Sequence, residues 1–574
     1  MNSIFSLTNN LSYLKSTNDK IIVLDKIYSL EKNRNFNHKN IQIIQNKPKD
    51  KKELIEVYEY CNIIYKRLLQ DLSLELNRLH DLKKSPESWE VIIGKWLLGL
   101  IYISHNNFKL CEKILSEEKL SYILMMDSDE YSLHTKETLD FFWATRDSDW
   151  NLSLNSKIIN FLNLDIKKKI IKLEDNKFDK YKSTSNILFL LKKNFFKIFN
   201  KINNKNNILV YSTSLNIIQE KKLELILGQI PKFWTKEEPK YTKDYNHILR
   251  KKISFKKNTE DKFENFIRSI LPDALPLYIL ESFKDLEEQM IEKNLPTNPS
   301  KVFTCYGYAY DELFKIYLSQ IKEKKIPIYI GQHGNNYFTS INTYYLNEFN
   351  TCDKFISWGA KDTNKIVPGF NLNTINRKIN YKKKGNLLVV CGAIGTGQSP
   401  IDRNTQDEKN VNVVVDLVKQ LKINKKFIKI RPHLTHFDSF NGYYYHKYLK
   451  KLNVNKNFLD KNIFKLIKKS RVVFFNYDST GLLENLSLNI PTVCFWHDTY
   501  SHIDDKYIIK YKKLIEGKIL FENFDDLIKH LDKYWDNIDD WWLSLKTQSV
   551  IKEFNENLNI NGQKLTDLAK ILKI

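Results

Sequence analysis

Residues 477–481 of the sequence place polar side chains where a ligand would bind. They lie between a β-branched, aromatic run and a leucine-rich segment with helical spacing, which predicts a strand-to-helix turn. The first N–H groups of a helix lack partners and the helix dipole is positive there, so Ser479, Thr480 and Gly481 could hold a phosphate. One turn further on, Glu484 shares a face with Thr480 and could accept hydrogen bonds from both ribose hydroxyls. An ordinary helix cap followed by a solvent-facing glutamate is the alternative.

Two more segments of the C-terminal half follow strand-like runs. In the glycine-rich stretch 392–399, Gly395 and Thr396 would bring backbone N–H groups close to a phosphate. This stretch is neither a Walker loop nor a dinucleotide fingerprint, and a tight turn is the alternative. Arg431 and His433 stand together after another strand-like run. A guanidinium and an imidazole there suit a nucleotide phosphate, with a capping or core histidine as the alternative.

His333 is the candidate catalytic base. It lies between two glycines, on backbone that can approach a substrate, and neutral imidazole accepts a proton near pH 7. The flanking amides of Gln332 and Asn335 are candidates for binding the acceptor. Asp311 or Glu312, after an earlier strand-like run, could be the base instead, unless they are only acids at a helix start.

The elements that must position these residues alternate between short apolar runs and amphipathic stretches. Strands are predicted at 21–24, 41–44, 208–211, 302–305, 326–330, 355–358, 387–391, 427–430, 472–475 and 492–496. Helices are predicted at 52–80, 86–104, 311–324, 411–421 and 524–535. This alternation predicts an α/β protein whose parallel sheets are covered by helices on both faces.

The polar, basic stretch 376–386 predicts a domain boundary. It would divide the chain into two Rossmann-like halves with a cleft between them. Open α/β sheets bind ligands at the carboxyl ends of their strands, so all the candidate residues would face that cleft.

Composition limits the classes of function. The chain has 574 residues, of which 42% are apolar, which predicts two or three globular domains. Lys and Arg outnumber Asp and Glu by 91 to 68, giving a net charge of +23. This charge suits an anionic partner, but its even spread is explained more simply by an A/T-rich genome. No RNA-recognition or zinc-finger signature accompanies it, so no nucleic-acid partner is predicted.

Cysteines and hydropathy indicate the compartment. The six cysteines are widely separated, which predicts neither a disulfide framework nor a zinc site. The N-terminus lacks a signal-peptide pattern, and no apolar stretch is long enough to span a bilayer. These features predict a cytoplasmic protein, with peripheral contact at the inner face of an anionic membrane as the furthest alternative.

Several motifs, in their order and spacing, resemble those of one known family. GQHGNNY, DKFISWGA, LLENLSLNIPTVCFW and KYWDNIDDWW together resemble the surface-carbohydrate (O-antigen type) transferases first noted in spirochaetes. The resemblance implies a GT-B glycosyltransferase with two Rossmann-like domains, no catalytic metal and no cofactor. It implies an acceptor domain at 1–375 with helical insertions, a nucleotide-sugar donor domain at 376–523, and C-terminal helices at 524–574 that cross back onto the first domain.

A more distant resemblance concerns the donor. Arg-Pro-His followed by an Asp-Ser-Thr turn is similar to the His-Pro and Ser/Thr motifs of transferases that use CMP-activated acidic sugars, although here the order is Pro-His. It implies that His433 touches the donor phosphate and that Ser479 and Thr480 bind that phosphate at the helix start.

The sequence therefore predicts an enzyme that moves a sugar from a nucleotide-sugar donor to a glycan or lipid-linked acceptor, in the synthesis of O-antigen, lipopolysaccharide or another surface polysaccharide. Two other classes stay open. One is an NAD-dependent, sugar-modifying oxidoreductase or epimerase, which should carry a proper glycine fingerprint. The other is a non-catalytic Rossmann-like binding protein, in which the polar residues at the strand ends are caps and turns.

Overall fold

The structure is a computed structural model of the chain. It describes residues 3–8, 14, 19–24, 40–44, 48–127, 131–145, 147–163, 165–172, 207–234, 237–241, 243–255, 259–341, 346–360, 363–392, 407–433, 452, 462–497 and 500–574. The named strands form three 5-stranded sheets, and all their pairings are parallel.

The first sheet contains β1 Ser3–Ser6, β2 Lys20–Leu24, β3 Ile41–Ile44, β4 Leu120–Met126 and β5 Lys168–Ile171. The second contains β6 Ile208–Tyr211, β7 Lys301–Thr304, β8 Ile328–Gly331, β9 Lys354–Ser357 and β10 Ile366–Pro368. The third contains β11 Asn386–Val390, β12 Ile428–Arg431, β13 Ser470–Phe475, β14 Thr492–Phe495 and β15 Leu520–Phe521.

The described helices are α1 Lys51–His80, α2 Pro86–Glu117, α3 Thr138–Ala144, α4 Ser148–Leu162, α5 Ile217–Ile226, α6 His247–Arg250, α7 Lys262–Ala274, α8 Phe283–Glu292, α9 Gly307–Tyr310, α10 Glu312–Glu323, α11 Leu346–Thr351, α12 Asp407–Gln420, α13 Ile463–Ile467, α14 Thr480–Ser487, α15 Asp505–Glu516, α16 Phe524–Tyr534, α17 Asp539–Trp542, α18 Leu545–Leu558 and α19 Leu565–Lys573. Short 3₁₀ turns lie at Leu372–Thr374 and Lys425–Phe427.

The predicted α/β class with parallel sheets is confirmed, and the structure adds a third sheet to the two that were predicted. The extra sheet belongs to the first 171 residues. Its edge strand β5 has three exposed residues in four, so it shows no buried pattern in the sequence. The long helices α1 and α2 separate β3 from β4, so two predicted strands there belong to a sheet of their own.

The order of strands in the third sheet points to a ligand site. The order is β12-β11-β13-β14-β15, so the chain places β12 on one side of β11 and then continues on the other side with β13. Ligands of open α/β sheets bind beyond the carboxyl ends of the strands at such a reversal. The expected position is therefore the crevice between the ends of β11 and β13.

Apolar burial joins the first two sheets into one unit. Helix α2 is capped by Ser85, begins at Pro86 and is buried along most of its length, because it packs against α1, α4 and α10. The third sheet has its own core, which α15, α16 and α18 complete. No described helix is long and apolar enough to cross a membrane.

The last helix returns to the second sheet. On α19, Leu565, Leu568 and Leu572 are buried in one apolar cluster with residues of β7 and β9, and the helix also packs on α5. The side chain of Lys301, at the start of β7, donates to the carbonyl of Leu572 at 2.8 Å. The chain end is thus fixed to a sheet that begins more than two hundred residues earlier.

Candidate active site

The loop after β8 meets the turn after β13, so the carboxyl ends of the second and third sheets face each other. The backbone N–H of Asn335 donates to Oγ1 of Thr480 at 3.0 Å. The Asn335 side-chain amide donates to Oδ1 of Asp478 at 2.5 Å. The next residue, Asn336, has a positive φ of 71°, a backbone conformation that asparagine adopts more readily than most residues. Two segments singled out in the sequence are therefore direct neighbours.

The amides that were candidates for binding the acceptor are occupied inside the protein. The buried Gln332 donates from Nε2 to the carbonyl of Gly334 at 2.8 Å, and its Oε1 accepts from the backbone of Trp358 at 2.8 Å. Gln332 thus fixes the shape of the loop, while Asn335 joins the two sheets. To bind an acceptor, these two amides would have to give up bonds that shape the loop and join the two sheets.

His333 projects from this loop into a small hydrogen-bonded group. Its Nε2 lies 2.6 Å from the hydroxyl of Tyr337, and that hydroxyl donates to Oε2 of Glu348 at 2.7 Å. Oε1 of Glu348 is 3.8 Å from the same nitrogen. Burial raises the pKa of Glu348, but the hydrogen bond and charge of His333, with further help from Lys95 and Tyr337, outweigh burial and lower the pKa overall.

This geometry determines which nitrogen of a neutral His333 ring carries the proton. Because the Tyr337 hydroxyl donates to Glu348, it accepts the Nε2–H of His333, and the basic lone pair of a neutral ring is then on Nδ1. The ring of Tyr306 lies against the imidazole, with centroids 4.5 Å apart. The carbonyl of His333 accepts from Tyr306 at 3.3 Å and from Asn373 at 3.4 Å. The histidine is thus held at both its ring and its backbone.

The alternative bases, Asp311 and Glu312, are not placed to act. Asp311 is 4% exposed and caps α10, and its second oxygen accepts from the hydroxyl of Tyr211 at 2.5 Å. Glu312 is 1% exposed and pairs with Nζ of Lys315 at 2.5 Å. Both carboxylates are shut off from solvent and already bonded, which favours structural roles over the predicted role as bases.

Part of the turn before α14 is explained by folding alone. Oγ of Ser479 accepts from the backbone of Leu482 at 2.9 Å, which is an ordinary helix cap. A Cβ on Gly481 would come within 2.8 Å of the Phe475 ring, so close packing requires glycine there. Thr480 makes the contact with Asn335 that joins the two sheets.

Glu484, which was predicted to bind a ribose, lies in the same cleft. Its Oε1 accepts from the side chain of Asn373 at 2.8 Å, and Asn373 also bonds the carbonyl of His333. Burial raises the pKa of Glu484, and the nearby Asn373 and Arg377 offset this only in part. Asn373 therefore bridges Glu484, on the second turn of α14, and the backbone of His333, the candidate base.

The remaining donor candidates lie along the same edge of the third sheet. Arg431 ends β12 and pairs with Val390 at the end of β11, two residues before Gly392. Its Nε is buried and makes no hydrogen bond within the described part of the chain. His433 follows two residues later. Since neighbouring strands are spaced by about 4.8 Å, the ends of β12 and β13 are about 10 Å apart, on either side of β11. Gly395 and Thr396 lie outside the described residues.

The structure adds site residues that sequence analysis missed. Tyr337 stands in the quoted GQHGNNY motif, four residues after His333, and this spacing was a usable signal. Glu348 lies on the separate helix α11, and only tertiary folding brings it to the imidazole. Among the described residues, no group of three or more His, Cys, Asp or Glu side chains could hold a metal ion.

A sequence profile of the LIC12162 family transferases matches residues 4–572. The chain belongs to this family. No curated protein is significantly similar in sequence.

The chain is also similar to solved glycosyltransferase and polymerase structures. Spinosyn rhamnosyltransferase SpnG has a TM-score of 0.28 and 10% identity, over 51% of this chain and 77% of that one. SpnG complexed with thymidine diphosphate has a TM-score of 0.29 and 10% identity, over 51% and 78%. The wall teichoic acid polymerase TagF has a TM-score of 0.32 and 13% identity, over 67% of this chain and 92% of that one.

Proposed function

We propose that this family member is a GT-B glycosyltransferase that moves a sugar from a nucleotide donor to a hydroxyl of a glycan or lipid-linked acceptor. Membership of a transferase family supports group transfer. The observation that carries the proposal is the oriented His333, which stands where the loop after β8 meets the start of α14. The proposed base, on the loop after β8 of the second sheet, thus faces the carboxyl edge of the third sheet, where open α/β sheets bind their ligands.

On the acceptor side, His333 removes the proton from the attacking hydroxyl. The proton goes to Nδ1, and the resulting imidazolium is stabilised by the Glu348 carboxylate through Tyr337. A base held in this way is already oriented when the acceptor arrives, and correct orientation supplies a large part of enzymatic rate enhancement.

On the donor side, Arg431, His433 and the first N–H groups of α14 stabilise the negative charge that grows on the leaving phosphate. Glu484 accepts hydrogen bonds from the hydroxyls of the nucleotide ribose. Gly395 and Thr396 would complete the phosphate site. This division assigns donor binding to 376–523 and acceptor binding to 1–375, with 524–574 holding them together.

The finer features of the function rest on the family resemblance. We propose a surface polysaccharide such as O-antigen or lipopolysaccharide as the product, a CMP-activated acidic sugar as one donor class to test, and catalysis without a metal. Sugar transfer would take place in the cytoplasm, at the inner face of an anionic membrane, where a lipid-linked acceptor is available.

The proposal is tested by replacing the base. His333→Ala should lower sugar transfer from a panel of nucleotide sugars by at least about 10²-fold, since a positioned base contributes that much or more. Nucleotide binding should persist, because the donor groups are untouched. His247→Ala, at an exposed histidine, is the matched control and should keep full activity. Equal rates for a folded His333→Ala protein and the wild type would refute the role of His333.

A further inference from the structure

The connection between the second and third sheets carries an arginine that sequence analysis did not single out. After β10 the chain makes the 3₁₀ turn Leu372–Thr374, passes Asn376 with a positive φ of 53°, and reaches Arg377. Asn373, in this turn, bonds both Glu484 and the carbonyl of His333. Arg377 follows Asn373 by four residues, in the segment that links the two walls of the cleft.

The guanidinium of Arg377 is held in place by an aromatic ring. Its Cζ lies 4.3 Å from the centre of the Phe464 ring, at the start of α13 in the third sheet's layer of helices. A planar guanidinium on an aromatic face loses much of its freedom but keeps its N–H groups at the edge for hydrogen bonding. This arrangement fixes the side chain before any ligand binds.

The side chain of Arg377 forms no salt bridge or hydrogen bond with another residue in the described part of the protein. Its Nε is buried and makes no hydrogen bond. Glu484 is near enough for the arginine charge to affect its pKa, yet its Oε1 is bonded to Asn373. The other described arginines, apart from Arg431, each bond a carboxylate or a carbonyl oxygen: Arg67, Arg78, Arg250, Arg268 and Arg471.

Arg377 and Arg431 are thus set apart by what they lack. Both side chains are partly exposed, and each has a buried Nε–H without a hydrogen-bond acceptor, which is costly unless a ligand supplies one. Arg431 ends β12 at the carboxyl edge of the third sheet. Arg377, in the connection that leads into β11, lies near enough to Glu484 and Tyr306 of the cleft for its charge to affect their pKa values. A forked guanidinium matches the oxygen geometry of a phosphate.

We propose that Arg377 binds a phosphate of the nucleotide donor, so that the connection between the two sheets takes part in donor binding. This inference rests on the proposed function and adds a ligand to it. With Arg431 on the edge strand and Glu484 on α14, Arg377 would complete a site that takes phosphate oxygens and ribose hydroxyls together.

The test compares nucleotide binding by Arg377→Gln, Arg377→Lys and the wild type. Calorimetric titrations would use CMP, CDP, UDP, GDP, thymidine diphosphate and inorganic pyrophosphate. Arg377→Gln should weaken the best nucleotide by at least about tenfold, as expected for one lost charge-assisted contact. The affinity of Arg377→Lys should lie between those of the wild type and Arg377→Gln, because lysine keeps the charge but lacks the forked guanidinium. Lys378→Gln removes the adjacent, exposed charge and should bind like the wild type.

The outcomes separate this inference from the proposed function. Equal affinity of the wild type and a folded Arg377→Gln protein, judged by an unchanged melting temperature without ligand, would overturn the role of Arg377 alone. A loss confined to complete donors with an acidic sugar would assign Arg377 to the sugar carboxylate and overturn phosphate binding. Failure of the wild type to bind any nucleotide would overturn the proposed function and this inference with it.

Discussion

At the scale of single residues, the proposed mechanism depends on a buried carboxylate that contacts His333 but not the substrate. Glu348 is 2% exposed, and it acts on His333 through the hydroxyl of Tyr337. The sequence indicated the histidine, because glycines on both sides and flanking amides are unusual for a core residue. It could not indicate Glu348, because nothing local marks one acid of a helix as the partner of a loop histidine.

The link between these residues can be tested by substitution. Glu348→Gln keeps the size of the side chain but removes the charge that stabilises the imidazolium. We expect sugar transfer to fall by up to about 10²-fold, because small misplacements of a catalytic group have effects of that size. Tyr337→Phe should produce a similar loss, and both variants should bind nucleotide normally.

A double variant that combines Glu348→Gln with Tyr337→Phe shows whether Glu348 and Tyr337 act together. If Tyr337 connects Glu348 to His333, the combined loss of activity should be close to that of either single change. If the two losses of activity multiply in the double variant, Glu348 and Tyr337 act separately. That result would contradict a connection from Glu348 through Tyr337 to His333.

Glu484 gives a second prediction, for stability against pH. Because burial raises the pKa of Glu484 in the folded state, its ionised form destabilises the fold above the ordinary glutamate pKa of about 4.3. Glu484→Gln should therefore melt at a higher temperature than the wild type at pH 7. The difference should shrink as the pH falls through the raised pKa of the folded state, and it should vanish below about 4, where the carboxyl is protonated in both states.

Melting curves of the two proteins across this pH range, without ligand, provide the measurement. A Glu484→Gln protein that melts below the wild type at pH 7 would show that the carboxylate stabilises the fold. That result would argue against a residue kept for a ligand.

At the scale of elements, apolar periodicity predicted most of what positions the site. The helix predicted at 52–80 is observed as Lys51–His80, and the strand at 208–211 as Ile208–Tyr211. The helix predicted to end at 104 continues to Glu117, because His105 and Asn107 are polar but buried. Apolar periodicity detects an element only where its buried positions carry apolar side chains. It therefore misses helical turns with buried polar residues and exposed strands such as β5.

The return of α19 to the second sheet has a measurable consequence. Leu568→Ala should lower the free energy of unfolding by about 2–5 kcal/mol, because Leu568 is fully buried between α19 and the sheet. Leu545→Ala is the control, since that side chain is 92% exposed at the start of α18; its effect should stay within about 0.5 kcal/mol. Urea unfolding compares the two. Equal midpoints would mean that α19 does not hold the second sheet.

At the scale of the whole molecule, polar contacts join the second and third sheets around the cleft. Asn335 bonds Asp478, Asn373 bonds Glu484, and Thr374 lies 2.8 Å from Ser487, oxygen to oxygen. These partners are separated by more than a hundred residues in the sequence, so no local pattern could predict their pairing. The strand ends predict the edge where the candidate site lies, and tertiary structure brings its two walls together.

The central claim is that a nucleotide binds between these walls. Hydrogen exchange followed by mass spectrometry, with and without the best-binding nucleoside diphosphate, tests it most directly. The account predicts that the ligand slows exchange in peptides covering β12, the start of α14 and the connection around Arg377, and leaves the first sheet unchanged. Slower exchange confined to the first sheet, or no change at the start of α14, would contradict it.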